Sequence, residues 1–337
     1  MGNVASAFWD QTYFIEKPRF TEKDLGDQTG KVHIITGGYT GIGLELTRLL
    51  YPLNATIYIA GRSPSKAATA ISTLQAAFPS STGKLVFLQL DLSDLTTIKP
   101  AVETFLGKET RLDTLTNNAG VMVCPPEWTS AQGYDMQTAT NVYGPFLLTL
   151  LLGPILARTA RVAETGTVRV TWAGSFAVEL LTPEGGVQFV NAQEGEGRLK
   201  GVKEGVNGEA CYGQSKAANV MLGVEAGRRW GGEGILSVSF NPGNLASELD
   251  RHLGWFQILL VKTMRHPVYL GAYTELFAGW SPEITPEKNG SYIIPWGRLG
   301  LIYNRKLAAA IKPVSDGGNG NSKKLWEVCE NLVRPFA

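Results

Sequence analysis

The chain is poor in the two residue types that most often build metal sites and disulfide frameworks. It has three cysteines and three histidines among 337 residues, and neither set has the spacing of a metal motif. An odd number of cysteines cannot all pair within one chain, which favours a reducing compartment such as the cytoplasm. We therefore expect neither a metal nor a disulfide framework. The residues concerned are Cys124, Cys211, Cys329, His33, His252 and His266.

The chain also lacks an excess of one charge and an early apolar segment. Its formal net charge is +1 and it has no basic run, which argues against nucleic acid as a partner. No apolar core of the length of a secretory signal lies near the start, in keeping with a cytoplasmic location. Residues 1 to 6 do match an N-myristoylation pattern, and the aromatic residues from 8 to 15 offer a second membrane contact. We favour an N-terminal arm that packs on the domain over this membrane association.

A glycine-rich segment follows the first strongly apolar run. The run from Lys31 to Thr36 predicts a buried parallel strand, and the apolar spacing from Ile42 to Leu50 predicts a helix. Glycines between a strand and a helix let the backbone approach a pyrophosphate, whose charge is met by the free N–H groups of the helix. We predict that these residues bind a dinucleotide: Thr36, Gly37, Thr40, Gly41, Ile42 and Gly43.

Polar residues also follow the next three predicted strands. Arg62 lies where enzymes that use NAD have an acid, and an arginine there suits the 2′-phosphate of NADP. Because ligands bind at the carboxyl ends of parallel strands, we expect the remaining residues to contact the adenine and the ribose. An alternative for the aspartate is that it only caps the following helix. These residues are Asp91, Leu92, Asn118, Ala119 and Gly120.

Tyr212 and Lys216 place a phenol and an ammonium one helical turn apart. An adjacent ammonium favours the phenolate, so Tyr212 can take a proton from an alcohol or return one to a carbonyl. Lys216 can reach both the phenol and the ribose hydroxyls. Ser175 follows a predicted strand that ends beside Tyr212, where its hydroxyl can donate to the substrate oxygen. Asn141 is expected at the head of an apolar helix from Val142 to Leu152 that Gly144 and Pro145 interrupt.

With these motifs in this order, residues 29 to 300 resemble the short-chain dehydrogenase/reductase family, in its retinol-dehydrogenase-like branch as found in fungi. The resemblance implies Tyr212 as the catalytic acid/base, Lys216 as its ribose-binding partner, Ser175 as the carbonyl-orienting hydroxyl and Asn141 as a relay residue. The family usually has a second serine where this chain has Gly174. The resemblance further implies cofactor contacts from Pro242, Gly243 and Leu245.

The resemblance implies one α/β domain with a Rossmann-type doubly wound parallel sheet and helices on both faces. Residues 1 to 28 would be an N-terminal arm and residues 301 to 337 a C-terminal extension. The function expected is NADP(H)-dependent interconversion of a secondary alcohol with a ketone or aldehyde on a lipophilic small molecule, in secondary metabolism. A cofactor-binding cyclase or isomerase, and a non-catalytic NADP sensor, are the alternatives. The family also allows a homodimer.

Two segments outside the predicted sheet have the length and composition of substrate-binding loops. Residues 176 to 210 form a long connection rich in glycine and glutamate, and residues 253 to 261 are strongly apolar. The apolar segment is too short to span a bilayer, so it either covers the substrate or touches a membrane. We favour the cover, because pockets for small molecules are mostly apolar.

Overall fold

The computed structural model describes residues 3–190, 197–246 and 264–337. The described strands form a mostly parallel sheet in the order β10-β9-β8-β5-β4-β1-β2-β3, with β10 antiparallel to β9, and a separate hairpin of β6 and β7. The strands are β1 Val32–Thr36, β2 Thr56–Gly61, β3 Lys84–Gln89, β4 Thr114–Asn117, β5 Arg169–Ala173, β6 Phe189–Val190, β7 Arg198–Leu199, β8 Leu236–Phe240, β9 Tyr292–Ile294 and β10 Arg298–Gly300.

Helices cover both faces of this sheet, which confirms the doubly wound α/β fold. α2, α3 and α9 lie on one face, and α4, α6, α8 and α11 lie on the other. The helices are α1 Val4–Thr12, α2 Gly41–Leu50, α3 Pro64–Ala77, α4 Ile98–Leu106, α5 Met136–Thr138, α6 Gly144–Ala160, α7 Ala177–Leu181, α8 Gly208–Trp230, α9 Val268–Trp280, α10 Arg305–Ala310 and α11 Asn321–Val333.

The central strands read as continuous apolar runs because both of their faces are buried. In β1, Ile34 packs into the core under α4, α6 and α8, while the next residue, Ile35, packs into the core under α2 and α9. Tyr58 and Ile59 of β2 divide between the same two cores. Successive side chains of a strand point to opposite faces, so a strand covered on both sides needs no polar alternation.

The apolar helix around Asn141 differs from the expectation of a helix from Val142 that Gly144 and Pro145 interrupt. It begins at Met136, continues through a π-helical turn over Ala139–Tyr143 and runs on to Ala160. Pro145 has no N–H to bond the carbonyl of Asn141, and the wider turn lets the helix continue past this missing bond. A Cβ on Gly144 would lie 2.3 Å from the Leu92 carbonyl oxygen, so this glycine permits close packing.

The segment Met136–Ala160 is also long and apolar enough to cross a membrane, but 72% of its most apolar window is buried within the fold. Phe146 and Leu152, for example, lie in the core against the sheet. Burial of that extent is what a core helix on a two-sided sheet requires. Its apolar character is therefore explained by packing.

Both terminal segments pack on the sheet domain. Phe20 lies in the core beside Phe277, with ring centroids 6.3 Å apart. In α11, Trp326 is fully buried and its ring contacts those of Phe146 and Trp230 edge-on. Trp326, which lies after residue 300, thus belongs to the same hydrophobic core as Phe146.

Candidate active site

A cavity of about 380 Å³ lies at the carboxyl ends of the parallel strands. Residues that follow β1 and residues that follow β4 line it. These two strands are neighbours, and the chain continues from β1 toward one edge of the sheet and from β4 toward the other edge. Ligands of open α/β sheets bind at this switch in strand order. Most of the predicted site residues line the cavity: Gly37, Thr40, Gly41, Ile42, Arg62, Asp91, Leu92, Asn118, Ala119, Gly120, Tyr212, Lys216 and Pro242.

The glycine segment forms a tight turn between β1 and α2. Gly37 and Gly41 have φ values of +69° and +55°, which a residue with a side chain rarely adopts. A Cβ on Gly43 would lie 2.6 Å from Nδ2 of Asn118 and 2.8 Å from the carbonyl oxygen of Gly37. The turn therefore needs glycine at Gly37 and Gly41 for its backbone conformation and at Gly43 for close packing. Gly41 and Ile42 at the start of α2 line the cavity, and the free N–H groups of a helix start suit a pyrophosphate.

Asn118 holds the loop after β4 against this turn. Its amide Nδ2 donates to the Thr36 carbonyl at 2.8 Å, and the N–H of Ala119 donates to Thr36 Oγ1 at 2.9 Å. Thr36 and Gly43 consequently lie beneath the cavity and not in its lining. Their role in the structure is to fix the shape of the turn.

Two cations lie at the end of the cavity formed by β2 and α3. Arg62 is exposed and lies just before α3, and Lys66 lies in the first turn of this helix. Ser63 caps α3, because its side chain accepts a hydrogen bond from the Lys66 N–H. Lys66 was missed by the sequence analysis, because Arg62 lies before the start of α3 and no helical spacing links the two residues. Together the two side chains offer a binding place for a phosphate.

Asp91 lines the cavity, where an adenine contact is expected, but it does not cap the following helical segment, whose N-cap is Asp94. The Oδ1 of Asp91 accepts hydrogen bonds from the N–H and the hydroxyl of Ser93 at 2.9 and 2.7 Å. The carboxylate thus stabilises the turn that leads into the following helix. The Oδ1 atom of Asp91 is thus used within the turn, while the residue also lines the cavity.

Tyr212 and Lys216 lie on α8 and reach the cavity from the face opposite α2. Tyr212 is 8% exposed, and Nζ of Lys216 lies 5.7 Å from the centroid of its ring. The ammonium donates to the Ala173 carbonyl at 2.9 Å, and a Cβ on Gly120 would lie 3.3 Å from it. Lys216 is thereby placed between the ends of β4 and β5, at the wall that a ribose would face.

Burial lowers the pKa of Lys216 to about 8, and the nearby Glu275 carboxyl opposes this shift. Near neutral pH the amine is therefore still largely charged, but it is closer to its titration point than an exposed lysine. A lysine with this pKa can donate hydrogen bonds and respond to a proton transfer nearby. Such perturbed groups concentrate at functional sites.

Ser175 lies beside the cavity and not in its lining, which reaches Ala173 and Gly174. Its Oγ accepts a hydrogen bond from the N–H of Ala177 at 3.2 Å, and its carbonyl accepts one from the Tyr292 hydroxyl at 3.1 Å. Among the residues that the structure describes, the Ser175 hydroxyl has no acceptor for its own proton, so it can act as a donor. Tyr292 was missed by the sequence analysis, because it lies on a strand far away in the chain.

The side chain of Asn141 is buried and used structurally. Its amide donates to the Val121 carbonyl and to Ser215 Oγ, both at 2.9 Å, and its Oδ1 accepts from the Val121 N–H at 2.8 Å. These bonds tie the cavity loop at Val121 to α8, which carries Tyr212. A relay through the two amide N–H groups of Asn141 would compete with these bonds.

Gly243 and Leu245 are not in the cavity lining, although their neighbour Pro242 is. A Cβ on Gly243 would lie 2.5 Å from the ring of Trp296, and Leu245 packs closely on Gly271 of α9. These two residues anchor the segment that follows β8. The predicted cover from 253 to 261 lies outside the described residues.

The remaining lining residues come from loops, from the ends of β2 and β5, and from the starts of α3 and of the apolar helix. Apart from Tyr39 in the glycine turn, no motif marked them. On the side of the cavity near Tyr212 they are mainly apolar. The residues that the sequence analysis did not identify include Tyr39, Gly61, Leu90, Val121, Cys124, Trp128, Met136 and Thr140. Within the part of the chain that the structure describes, no cluster of three or more potential metal ligands occurs.

Several known proteins resemble this chain in sequence or in fold. A sequence model of the short chain dehydrogenase family matches residues 31–169. A short-chain dehydrogenase/reductase of Phomopsis amygdali is 42% identical over 97% of this chain and 96% of its own length, and one of Armillaria gallica is 40% identical over the whole length of both. An NADPH-bound carbonyl reductase from chicken fatty liver has a similar fold, with a TM-score of 0.58 and 20% identity over 81% of this chain and 99% of its own. The chain belongs to the short-chain dehydrogenase/reductase family.

Proposed function

We propose that this oxidoreductase uses NADP(H) to interconvert an alcohol and the corresponding ketone or aldehyde on a lipophilic small molecule. The observation that carries the proposal is that Tyr212 and Lys216 share one cavity with the glycine turn and with Arg62. Binding groups for a dinucleotide and a group for proton transfer thus meet in the same place. The carbonyl reductase from chicken fatty liver, which has a similar fold, holds NADPH in its crystal structure, and this supports the choice of cofactor.

NADP(H), when bound, supplies or accepts the hydride. In the reductive direction, the Tyr212 hydroxyl donates a proton to the carbonyl oxygen of the substrate, and in oxidation the phenolate takes a proton from the alcohol. The Lys216 ammonium stabilises that phenolate. Ser175 donates a hydrogen bond to the substrate oxygen as negative charge develops there.

A lipophilic substrate fits the side chains on the tyrosine side of the cavity. Val121, Cys124, Trp128 and Met136 present apolar surface there, and Thr140 adds a hydroxyl. Pockets for small molecules combine an apolar lining with a few polar anchors in this way. Secondary metabolism as the setting, and a homodimer as the assembly, stay predictions.

The direct test follows NADPH absorbance while the purified protein is incubated with a panel of hydrophobic ketones and aldehydes, with analysis of the products. We expect NADPH to be consumed in proportion to alcohol formed. A rearranged product without net cofactor consumption would favour the cyclase or isomerase instead. Binding of cofactor with no conversion of any compound would favour the non-catalytic sensor.

A variant tests the choice between the two dinucleotides. Arg62→Asp is expected to weaken NADPH binding by roughly tenfold to a hundredfold and to change NADH binding little, because it removes a charge-assisted contact with the 2′-phosphate. Fluorescence titration with both cofactors measures the two affinities. Lys108→Asp is the matched control, since it replaces an exposed cation outside the cavity lining by the same acid. Equal affinity of the unmutated protein for NADPH and NADH would contradict the assignment.

A further inference from the structure

The N-terminal helix α1 is anchored at the edge of the sheet that carries the cavity. Asn241, at the end of β8, donates from Nδ2 to Gln11 Oε1 at 2.9 Å, across 230 residues of sequence. Asn244 Nδ2 donates to Thr12 Oγ1 at 3.2 Å, and the His266 ring nitrogen Nε2 lies 2.7 Å from the Thr12 carbonyl oxygen. Side chains of α1 and side chains of the segment that follows β8 therefore both take part in this contact.

These anchoring groups are shielded from water. Gln11 is 2% exposed and Asn241 is 1% exposed. The Oδ1 of Asn241 accepts the N–H of Gly243 at 3.0 Å, so its amide is held between the turn after β8 and the helix. Removing one partner would leave a buried amide unsatisfied, which costs more than the hydrogen bond itself contributes. Helix α1 is thus a fixed part of this edge.

A second contact joins α1 to the segment after β5. The ring of Phe8 packs 5.7 Å from the ring of Phe176, the residue that follows Ser175. Arg298 of β10 bonds Asp10 of α1, with Nη1 3.0 Å from Oδ1. The helix therefore contacts the segments that follow β5 and β8, in which the nearby residues Gly174 and Pro242 line the cavity.

The cavity lining ends at Gly174 on one of these segments and at Pro242 on the other. The adjoining residues are those that α1 covers: Phe176 beyond Ser175, and Asn241 before Pro242. Phe8 is half-buried. Trp9 is 51% exposed and its ring lies 5.8 Å from that of Phe8, whereas Phe14 is 73% exposed and packs on Trp9.

We propose that helix α1 is an outer wall of the active site, beyond the residues that line the cavity, and that Phe8 is a specificity-determining residue for apolar substrates bulky enough to reach it. This inference rests on the proposed function for the identity of the reacting group. It assigns to the N-terminal arm a part in substrate selection that is separate from cofactor binding. Phe8 contributes apolar contact, and Gln11 holds the wall in place through Asn241.

The test uses Phe8→Ala in the full chain, with Phe14→Ala as the matched control, because it makes the same change at a phenylalanine of the arm that is 73% exposed. Calorimetric titration of the NADP⁺-loaded protein with 2-acetylnaphthalene measures ketone binding without turnover, because the oxidised cofactor has no hydride to transfer, and acetone serves as the small probe. We expect Phe8→Ala to weaken binding of the naphthyl ketone by on the order of tenfold, because aromatic contact is lost. Acetone affinity, NADPH affinity and the behaviour of Phe14→Ala are expected to match the native protein.

Thermal unfolding separates a local effect from loss of the fold, and Phe8→Leu gives a graded variant that should retain part of the ketone affinity. The inference is overturned if Phe8→Ala binds the naphthyl ketone as the native protein does, if Phe14→Ala loses affinity to the same extent, or if the native protein does not bind this ketone. Ketone binding without any NADPH oxidation would instead contradict the proposed function and leave the role of Phe8 standing.

Discussion

Tyr212→Phe is expected to lower the rate of hydride transfer by about 100- to 10,000-fold, because it removes the group that exchanges a proton with the substrate oxygen. The ring stays in place, so the packing of α8 and the affinity for NADPH are expected to change little. Single-turnover measurements with a deuterated cofactor would isolate the chemical step from binding and release. The effect should therefore appear in the turnover rate and not in KM.

Tyr292→Phe is the matched control for this experiment, because it deletes another buried phenol on the same side of the cavity. The Tyr292 hydroxyl is used in a hydrogen bond to the Ser175 carbonyl, and a bond of this kind contributes about 1 kcal/mol. Its loss is expected to reduce the rate by roughly fivefold. If Tyr292→Phe were as damaging as Tyr212→Phe, or if Tyr212→Phe kept the native rate, the acid/base role of Tyr212 would be wrong.

The sheet and the glycine turn could be predicted because their causes are local. Each buried strand is a short run of β-branched and apolar residues, and the turn needs glycine at Gly37 and Gly41, where φ is positive. The first strand, predicted from Lys31 to Thr36, begins one residue later, at Val32. Such shifts do not change which residues reach the cavity.

The shape of the helix around Asn141 could not be predicted from local preference. Gly144 and Pro145 are helix breakers on average, yet here the close packing on Leu92 and the π-helical turn accommodate both. Tertiary packing outweighs an unfavourable propensity of a few kcal/mol when a long apolar helix is buried against a sheet.

The substrate side was predicted least well, because its contacts join distant parts of the chain. The bond between Gln11 and Asn241 connects residues that no periodic pattern links. The cavity wall at Trp128 and Met136 follows a loop whose sequence has no motif. The aromatic residues of the arm were expected to pack on the domain or to touch a membrane, and Phe8 does pack on Phe176 while Trp9 and Phe14 remain exposed.

Glu275 is the buried acid that influences the active-site lysine. It lies on α9, is 0% exposed, and neither of its carboxyl oxygens has a hydrogen-bond partner among the described residues. Burial raises the pKa of Glu275 to about 8, against the opposing effect of the Lys216 ammonium. Buried titratable groups beside α9 also include His33, whose ring packs 5.0 Å from Trp280 and whose pKa burial lowers to about 4. Arg169 is another, since its Nη1 donates to the Ala278 carbonyl at 3.3 Å and burial lowers its pKa to about 10.

Glu275→Gln is expected to change the pH dependence of stability in a defined direction. The folded protein holds the Glu275 proton up to a pH of about 8, whereas the unfolded chain releases it near the ordinary value of 4.5, so native stability falls as pH rises between these values. Lys216 acts in the opposite sense above pH 8, because its pKa is lowered from 10.5 and the unfolded chain then binds more protons. The glutamine variant lacks the first of these effects, so its stability relative to the native protein should rise from pH 5 to pH 8. Since one pKa unit corresponds to about 1.4 kcal/mol, the rise is on the order of a few kcal/mol.

Denaturant unfolding of the native and variant proteins at several pH values between 5 and 9 measures this difference. Glu283→Gln is the control with the same chemical change, because Glu283 is an exposed glutamate just after α9.

Glu275→Gln should also alter cofactor binding. Without the carboxyl group, the pKa of Lys216 falls further below its ordinary value, so NADPH affinity should begin to decline at a lower pH than in the native protein. A purely structural role for Glu275 would shift stability equally at every pH and leave the pH at which NADPH affinity declines unchanged, and that result would contradict its electrostatic link to Lys216.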